Sequence, residues 1–152
     1  MVAIEKLRKF KIFNSLNERE LELIADIAKE ESYKAHARIF EEKALATNLY
    51  LLLEGKVEIK IRGDDVEPVV IDIVGSGEIF GWSAVTEPYT FTAAAWTSEE
   101  TGLIILKGER LRELFEKNNH IGYRVVKEVA AVISRRLKAM ETKFVDLLHK
   151  IK

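Results

Sequence analysis

The residues best placed to do chemistry lie between positions 77 and 92. They are Gly77-Glu78-Ile79-Phe80-Gly81-Trp82-Ser83-Ala84, followed by Pro88-Tyr89-Thr90-Phe91-Thr92. Two glycines four apart let the backbone approach a ligand closely, and a turn that opens a short helix points unpaired N–H groups at whatever sits there. The chemistry this suits is the holding of a small anion, with Ser83 as a helix cap or a further phosphate contact. The same letters also fit a plain glycine turn between two strands, so the surrounding elements have to decide. Phe80, Trp82, Tyr89 and Phe91 crowd into this segment. Either these rings fill a cavity themselves, as aromatics in small barrels usually do, or they offer a stacking surface to a flat ligand.

The elements that must position this segment can be read in order. Asn17-Glu18-Arg19-Glu20 forms a capping box with Leu16 and Leu21 as a hydrophobic staple, and Leu21, Ile24, Ala25 and Ala28 repeat at helical spacing. A short helix therefore opens the chain. Tyr50 to Leu53 is a continuous apolar run, Val57, Ile59 and Ile61 alternate with charged residues, and Glu54-Gly55 between them suggests a strand pair. Arg62-Gly63-Asp64-Asp65 is a second turn, Val66 to Val74 a further strand with Pro68 near its start, and Ala93 to Thr97 and Gly102 to Lys107 complete the set. Many short strands with regular turns predict a jelly-roll β-barrel, giving an α+β, mainly β, fold with helices at both ends. One domain is expected over 1–152: a helical part at 1–32, the barrel at 33–107 and a second helical part at 108–152.

The pieces Phe13-Asn14-Ser15-Leu16, Ile39-Phe40-Glu41-Glu42, Leu49 to Ile59 and Gly77-Glu78-Ile79-Phe80-Gly81 stand in an order that resembles the cyclic-nucleotide-binding domain of the Crp-Fnr regulators and of kinase regulatory subunits. The resemblance implies a phosphate-binding cassette at Gly77, Glu78, Phe80, Gly81, Trp82, Ser83, Ala84, Pro88, Tyr89 and Thr90, with Arg136 reaching it from a carboxy-terminal helix. It also shows two departures. The family's ribose-binding glutamate falls on Trp82, and its phosphate-binding arginine on Tyr89. An indole can only donate, and a phenol carries neither the charge nor the planar fork of a guanidinium, so cyclic AMP and cyclic GMP should bind weakly. No cofactor is expected, and a small anion or planar ligand stays open.

From Lys107 onward glycine and proline nearly vanish. Val126, Ala130, Ile133, Leu137, Met140, Phe144, Leu147 and Ile151 alternate spacings of four and three, which is the seam of a parallel dimer rather than the broader stripe of a helix lying on its own barrel. A homodimer follows. No segment has helix-turn-helix spacing with a basic face, and 24 Lys and Arg against 25 Asp and Glu leave a net charge of -1, so direct DNA contact is not expected. Cysteine is absent, which excludes disulfides and thiolate metal centres. The three histidines, His36, His120 and His149, lie far apart, and no serine has a matched base, so no enzyme is expected. No apolar run approaches the ~20 residues of a membrane span, and Met1 to Phe10 is too charged for a signal peptide, so a cytoplasmic protein is expected. The reading is a homodimeric, non-catalytic sensor with an altered or vestigial pocket and an unknown protein partner. The sensor half of a Crp-Fnr-type transcription regulator and a purely structural dimerisation module are its alternatives.

Overall fold

Asn17 caps the first substantial helix as its sequence requires: its side chain accepts the Glu20 N–H at 2.9 Å, and the Glu20 carboxylate accepts the Asn17 N–H at 3.1 Å. The computed structural model describes residues 1–62, 64 and 67–151. A short helix α1 (Ile4–Leu7) and a 3-10 turn (Lys11–Phe13) precede α2 (Glu18–Ile27), and Leu16 and Leu21 are both buried.

Among the described residues eight antiparallel strands follow: β1 (Ala28–Tyr33), β2 (Arg38–Phe40), β3 (Asn48–Glu54), β4 (Val57–Ile61), β5 (Val69–Val74), β6 (Ile79–Phe80), β7 (Ala94–Thr97) and β8 (Thr101–Lys107). They form two four-stranded sheets, ordered β1-β8-β3-β6 and β2-β7-β4-β5, which is the two-sheet jelly roll. The two helices that follow are α3 (Gly108–Lys117) and α4 (Asn119–Ile151), separated by Asn118, whose side chain accepts the Ile121 N–H at 3.1 Å. The fold is thus α+β and mainly β, with a short helical start and a long helical end.

Three expectations need correction. Ala28 does not extend the first helix; it begins β1, so the strands start inside the segment assigned to the helical part. The segments around Glu54-Gly55 are not a hairpin pair: β3 lies in the first sheet between β8 and β6, while β4 lies in the second between β7 and β5. The reason is burial. Leu49, Tyr50, Leu51 and Leu52 are all buried, and so are Leu103 to Leu106 of β8, so both strands need cover on two faces and take the centre of a sheet backed by helices. Gly55, at φ 107°, makes the crossing, and a Cβ there would collide with Thr101 Oγ1. The third strand of the expected set begins at Val69, after Pro68; Val66 lies outside the described residues, as do Gly63 and Asp65 of the second turn.

Candidate functional site

The turn that follows β5 is closed by its own residues. The Glu78 carboxylate accepts the Gly75 N–H at 2.6 Å, and Gly77, at φ 88°, donates its N–H to the Leu52 carbonyl at 2.8 Å. Glu78 is therefore engaged in holding the turn. After β6 the chain reverses at Gly81, whose φ is 77° and where an added Cβ would stand 2.8 Å from the Tyr50 ring. A single 3-10 turn, Trp82–Ala84, follows with Gly81 at its cap position and no side-chain cap. Ser83 lies within this turn and does not cap it, because the turn begins at Trp82, two residues earlier than a Ser83 cap would need. The Ala84 N–H bonds back to the Gly81 carbonyl at 3.2 Å, so one of the donors expected to face an anion is used by the turn itself.

Of the four rings expected to crowd the interior, Phe80 and Phe91 do so, joined by Phe40 and Tyr50 in place of Trp82 and Tyr89. Phe91 stacks on Phe40 with centroids 3.6 Å apart, Phe80 stacks on Tyr50 at 5.0 Å, and Phe40 lies 5.6 Å from Tyr50, joining the two pairs across the sheets. Burial pushes the Tyr50 hydroxyl up, with the Asn48 hydrogen bond opposing it, so this ring stays neutral. Trp82 and Tyr89 instead carry cations. The Arg136 guanidinium lies 4.2 Å from the Trp82 ring centre, and that of Arg112 lies 4.4 Å from the Tyr89 ring while donating to the Ala84 carbonyl at 2.6 Å. Tyr89 sits at φ 61° after the exposed Pro88, and Thr90 bridges to Leu45. What remains between Phe40, Ile59, Gly81, Trp82, Phe91 and Arg136 is a cavity of about 20 Å³. That is room for roughly one water molecule.

Arg136 ties the long helix to this site. Its Nη2 lies 2.6 Å and its Nε 3.1 Å from Oδ2 of Asp72 on β5, with the side chain only 15% exposed and that of Asp72 40%. A guanidinium held between an indole and a carboxylate is fixed in plane by two different forces. Arg135, its exposed neighbour, lines a groove between β5 and α4 together with Arg136 and Lys143. Sequence reasoning missed Phe40 and Tyr50 as interior rings, Arg112 as the cation on Tyr89, and Asp72. A lone carboxylate inside the apolar run of β5 was the one available signal.

α4 carries two stripes. Ile121, Val125 and Val129 are buried and Val132 and Arg136 half-buried, so this face packs on α3 and the 3-10 turn at Lys11–Phe13 and reaches β5 at Arg136. One position on, the expected seam is unpartnered: Ile133 is half-buried, whereas Val126, Ala130, Leu137, Met140, Phe144, Leu147 and Ile151 are exposed. Among the described residues no group of three or more His, Cys, Asp and Glu could hold a metal, and no helix is long and apolar enough to cross a membrane. His120 Nδ1 pairs with Glu20 Oε2 at 2.6 Å, joining the start of α4 to α2. Burial acts to raise the Glu20 carboxyl, but the His120 and Asn17 hydrogen bonds outweigh it and hold it below the usual carboxylate range.

Residues 30–118, from within β1 to the break before α4, match the family model described as the cyclic nucleotide-binding domain. The chain is 26% identical over 110 residues to a CRP-like cAMP-activated global transcriptional regulator of Mycobacterium tuberculosis, covering 72% of this chain and 47% of that protein, so it spans about half the length of the curated relatives it matches. A crystal structure described as a cyclic nucleotide-binding protein from Geobacter metallireducens is 37% identical, with a TM-score of 0.77, over 90% of this chain and 99% of that one. The Thermus thermophilus catabolite activator protein is 25% identical, with a TM-score of 0.73, over 91% of this chain and 62% of that one. With the family model spanning more than half of its length, this chain belongs to the cyclic nucleotide-binding domain family.

Proposed function

We propose that the chain is a non-catalytic, homodimeric regulatory domain in which an altered cassette is coupled to a dimer helix by Arg136. The observation that carries this reading is the position of that guanidinium, between Trp82 of the cassette turn at 4.2 Å and Asp72 of β5 at 2.6 Å. A ligand that enters beside Trp82 has to move Arg136, and Arg136 belongs to α4. Occupancy of the cassette and the seat of the helix are then two readings of one equilibrium, shifted by whatever binds one arrangement better than the other. Dimerisation through the seam from Val126 to Ile151 is supported by its exposure, since a row of large apolar side chains at heptad spacing gains most by meeting its own copy.

Cyclic AMP is a poor candidate for that ligand. The residual cavity of about 20 Å³ does not hold a nucleotide, and the position where the resemblance puts a phosphate-binding arginine is Tyr89, already covered by Arg112. Losing a charged, forked contact costs roughly 3 kcal/mol, or about a hundredfold in affinity relative to an intact cassette. Calorimetric titration with cyclic AMP and cyclic GMP tests this directly: dissociation constants of about 0.1 mM or weaker are expected, and a low-micromolar or tighter constant for either nucleotide overturns it. The similarity to a CRP-like transcriptional regulator along 47% of that protein favours a second reading, in which the same coupled unit is the sensor part of a transcription regulator. Under either reading the catalytic contribution is none.

A further inference from the structure

We infer that the outer face of the second sheet carries a separate ligand site, built on Trp96, for a planar aromatic anion of about mononucleotide size. Ala95 and Thr97 of β7 are buried, so alternation turns Ala94 and Trp96 outward. Trp96 stands directly opposite Arg38 of β2 on one side and Glu58 of β4 on the other. Cations from both flanking strands lie against its ring, Arg38 at 5.9 Å and Lys60 at 5.7 Å from the centroid. A solvent-facing sheet needs no indole, and this one floors a hollow of about 370 Å³, within the size range of small-molecule sites.

The walls supply the charge. They are the segment after β2, with Glu41, Glu42 and Lys43, and the ends of the β4–β5 connection, with Arg62 and Pro68. Glu41 is paired with Arg38 at 2.7 Å, and Glu42 accepts the Arg62 backbone N–H at 2.9 Å. Lys60 is paired with Glu58 of its own strand at 3.5 Å, whereas Lys43 and Arg62 form no ion pair among the described residues, so four cations face three carboxylates in a chain whose net charge is -1. The Lys43 wall is held in place by its own backbone, whose N–H donates to the Phe91 carbonyl at 2.8 Å. A preformed hollow with an indole floor and surplus cations at its rim matches a ligand with a flat ring to lie on the indole and a phosphate for Lys43, Lys60 and Arg62. This site shares no residue with the cavity beside Trp82.

The chain has two tryptophans, so Trp82→Phe leaves Trp96 as the only indole reporter. Titrating this variant with AMP and ATP is expected to quench Trp96 saturably, with ATP the tighter, and Lys60→Gln with Arg62→Gln to weaken both by at least about tenfold. Equilibrium dialysis of AMP and ATP on the wild type and on the Lys60→Gln/Arg62→Gln pair repeats the comparison without relying on Trp82→Phe to fold. The proposal is overturned if neither nucleotide gives a saturable response, if inorganic phosphate at the same ionic strength quenches equally, or if the double substitution leaves affinity unchanged. Arg136→Ala, which removes no residue lining this hollow, separates the two sites: loss of the response in that variant assigns the ligand to the cassette and overturns the inference as well.

Discussion

Replacing Leu137 and Phe144 together with glutamate should convert a dimer into a folded monomer, and the size of the effect can be worked from their exposure. The two side chains are 59% and 61% exposed in the single chain, so rather more than half of each is free to be buried by a partner. Full burial of such a side chain contributes about 1.5–3 kcal/mol, and roughly three-fifths of that is available here, about 1–2 kcal/mol each. Two residues in each of two copies give about 4–7 kcal/mol, a factor of roughly 10³ to 10⁵ in the dissociation constant. Sedimentation equilibrium over a concentration series measures this, with wild type dimeric at micromolar concentration and the variant monomeric. Circular dichroism should show the β signal kept and some helix lost, because the last fifteen residues of α4 have no buried position and a helix that short is marginal alone. A monomeric wild type, or a variant that still dimerises with an unchanged constant, refutes the seam as the interface.

Two further outcomes follow from the same geometry. Gly81→Ala should destabilise the domain by at least about 1–3 kcal/mol in chemical denaturation, since it sets a non-glycine residue at φ 77° with its Cβ 2.8 Å from the Tyr50 ring. The Glu20 carboxyl is held below its ordinary value, so the stability it contributes is present above the unfolded carboxylate range near 4.5 and is lost as pH falls below it. His120→Ala removes a partner at 2.6 Å that counters burial; it should raise the acid-unfolding midpoint and cost about 1 kcal/mol near neutrality, a modest figure because the imidazole is 48% exposed. An acid transition that moves downward, or not at all, argues against the pair.

Local signals survived folding where one element alone set the outcome. The capping box at Asn17 and Glu20, the apolar runs of β3 and β8 and the seven-residue spacing along α4 are short-range patterns, and each produces the element it spells. β1 was hidden because Lys29, Glu30 and Glu31 read as a solvated segment, which is what an edge strand paired only with β8 requires. The separation of β3 and β4 into different sheets was hidden because a glycine turn between two strand patterns says nothing of which sheet each enters. The site shows the same division. Gly77, Gly81, Trp82 and Arg136 were legible, while Phe40, Tyr50, Asp72 and Arg112 come from distant strands and helices and meet the cassette only through the fold.

Arg136 also marks the last point at which α4 is fixed to the barrel side by a side chain that is not exposed; from residue 137 to 151 the helix has no buried residue. That free arm is about 22 Å long at 1.5 Å per residue. Small rotations at its root are therefore magnified at its tip: a tilt of about 10° at Arg136 displaces Ile151 by roughly 4 Å, more than the width of a hydrogen bond. Under the proposed coupling, a change at Trp82 too slight to alter the barrel would reach the far end as a displacement on the scale of a side chain, and in a two-fold assembly the two tips would move by equal amounts.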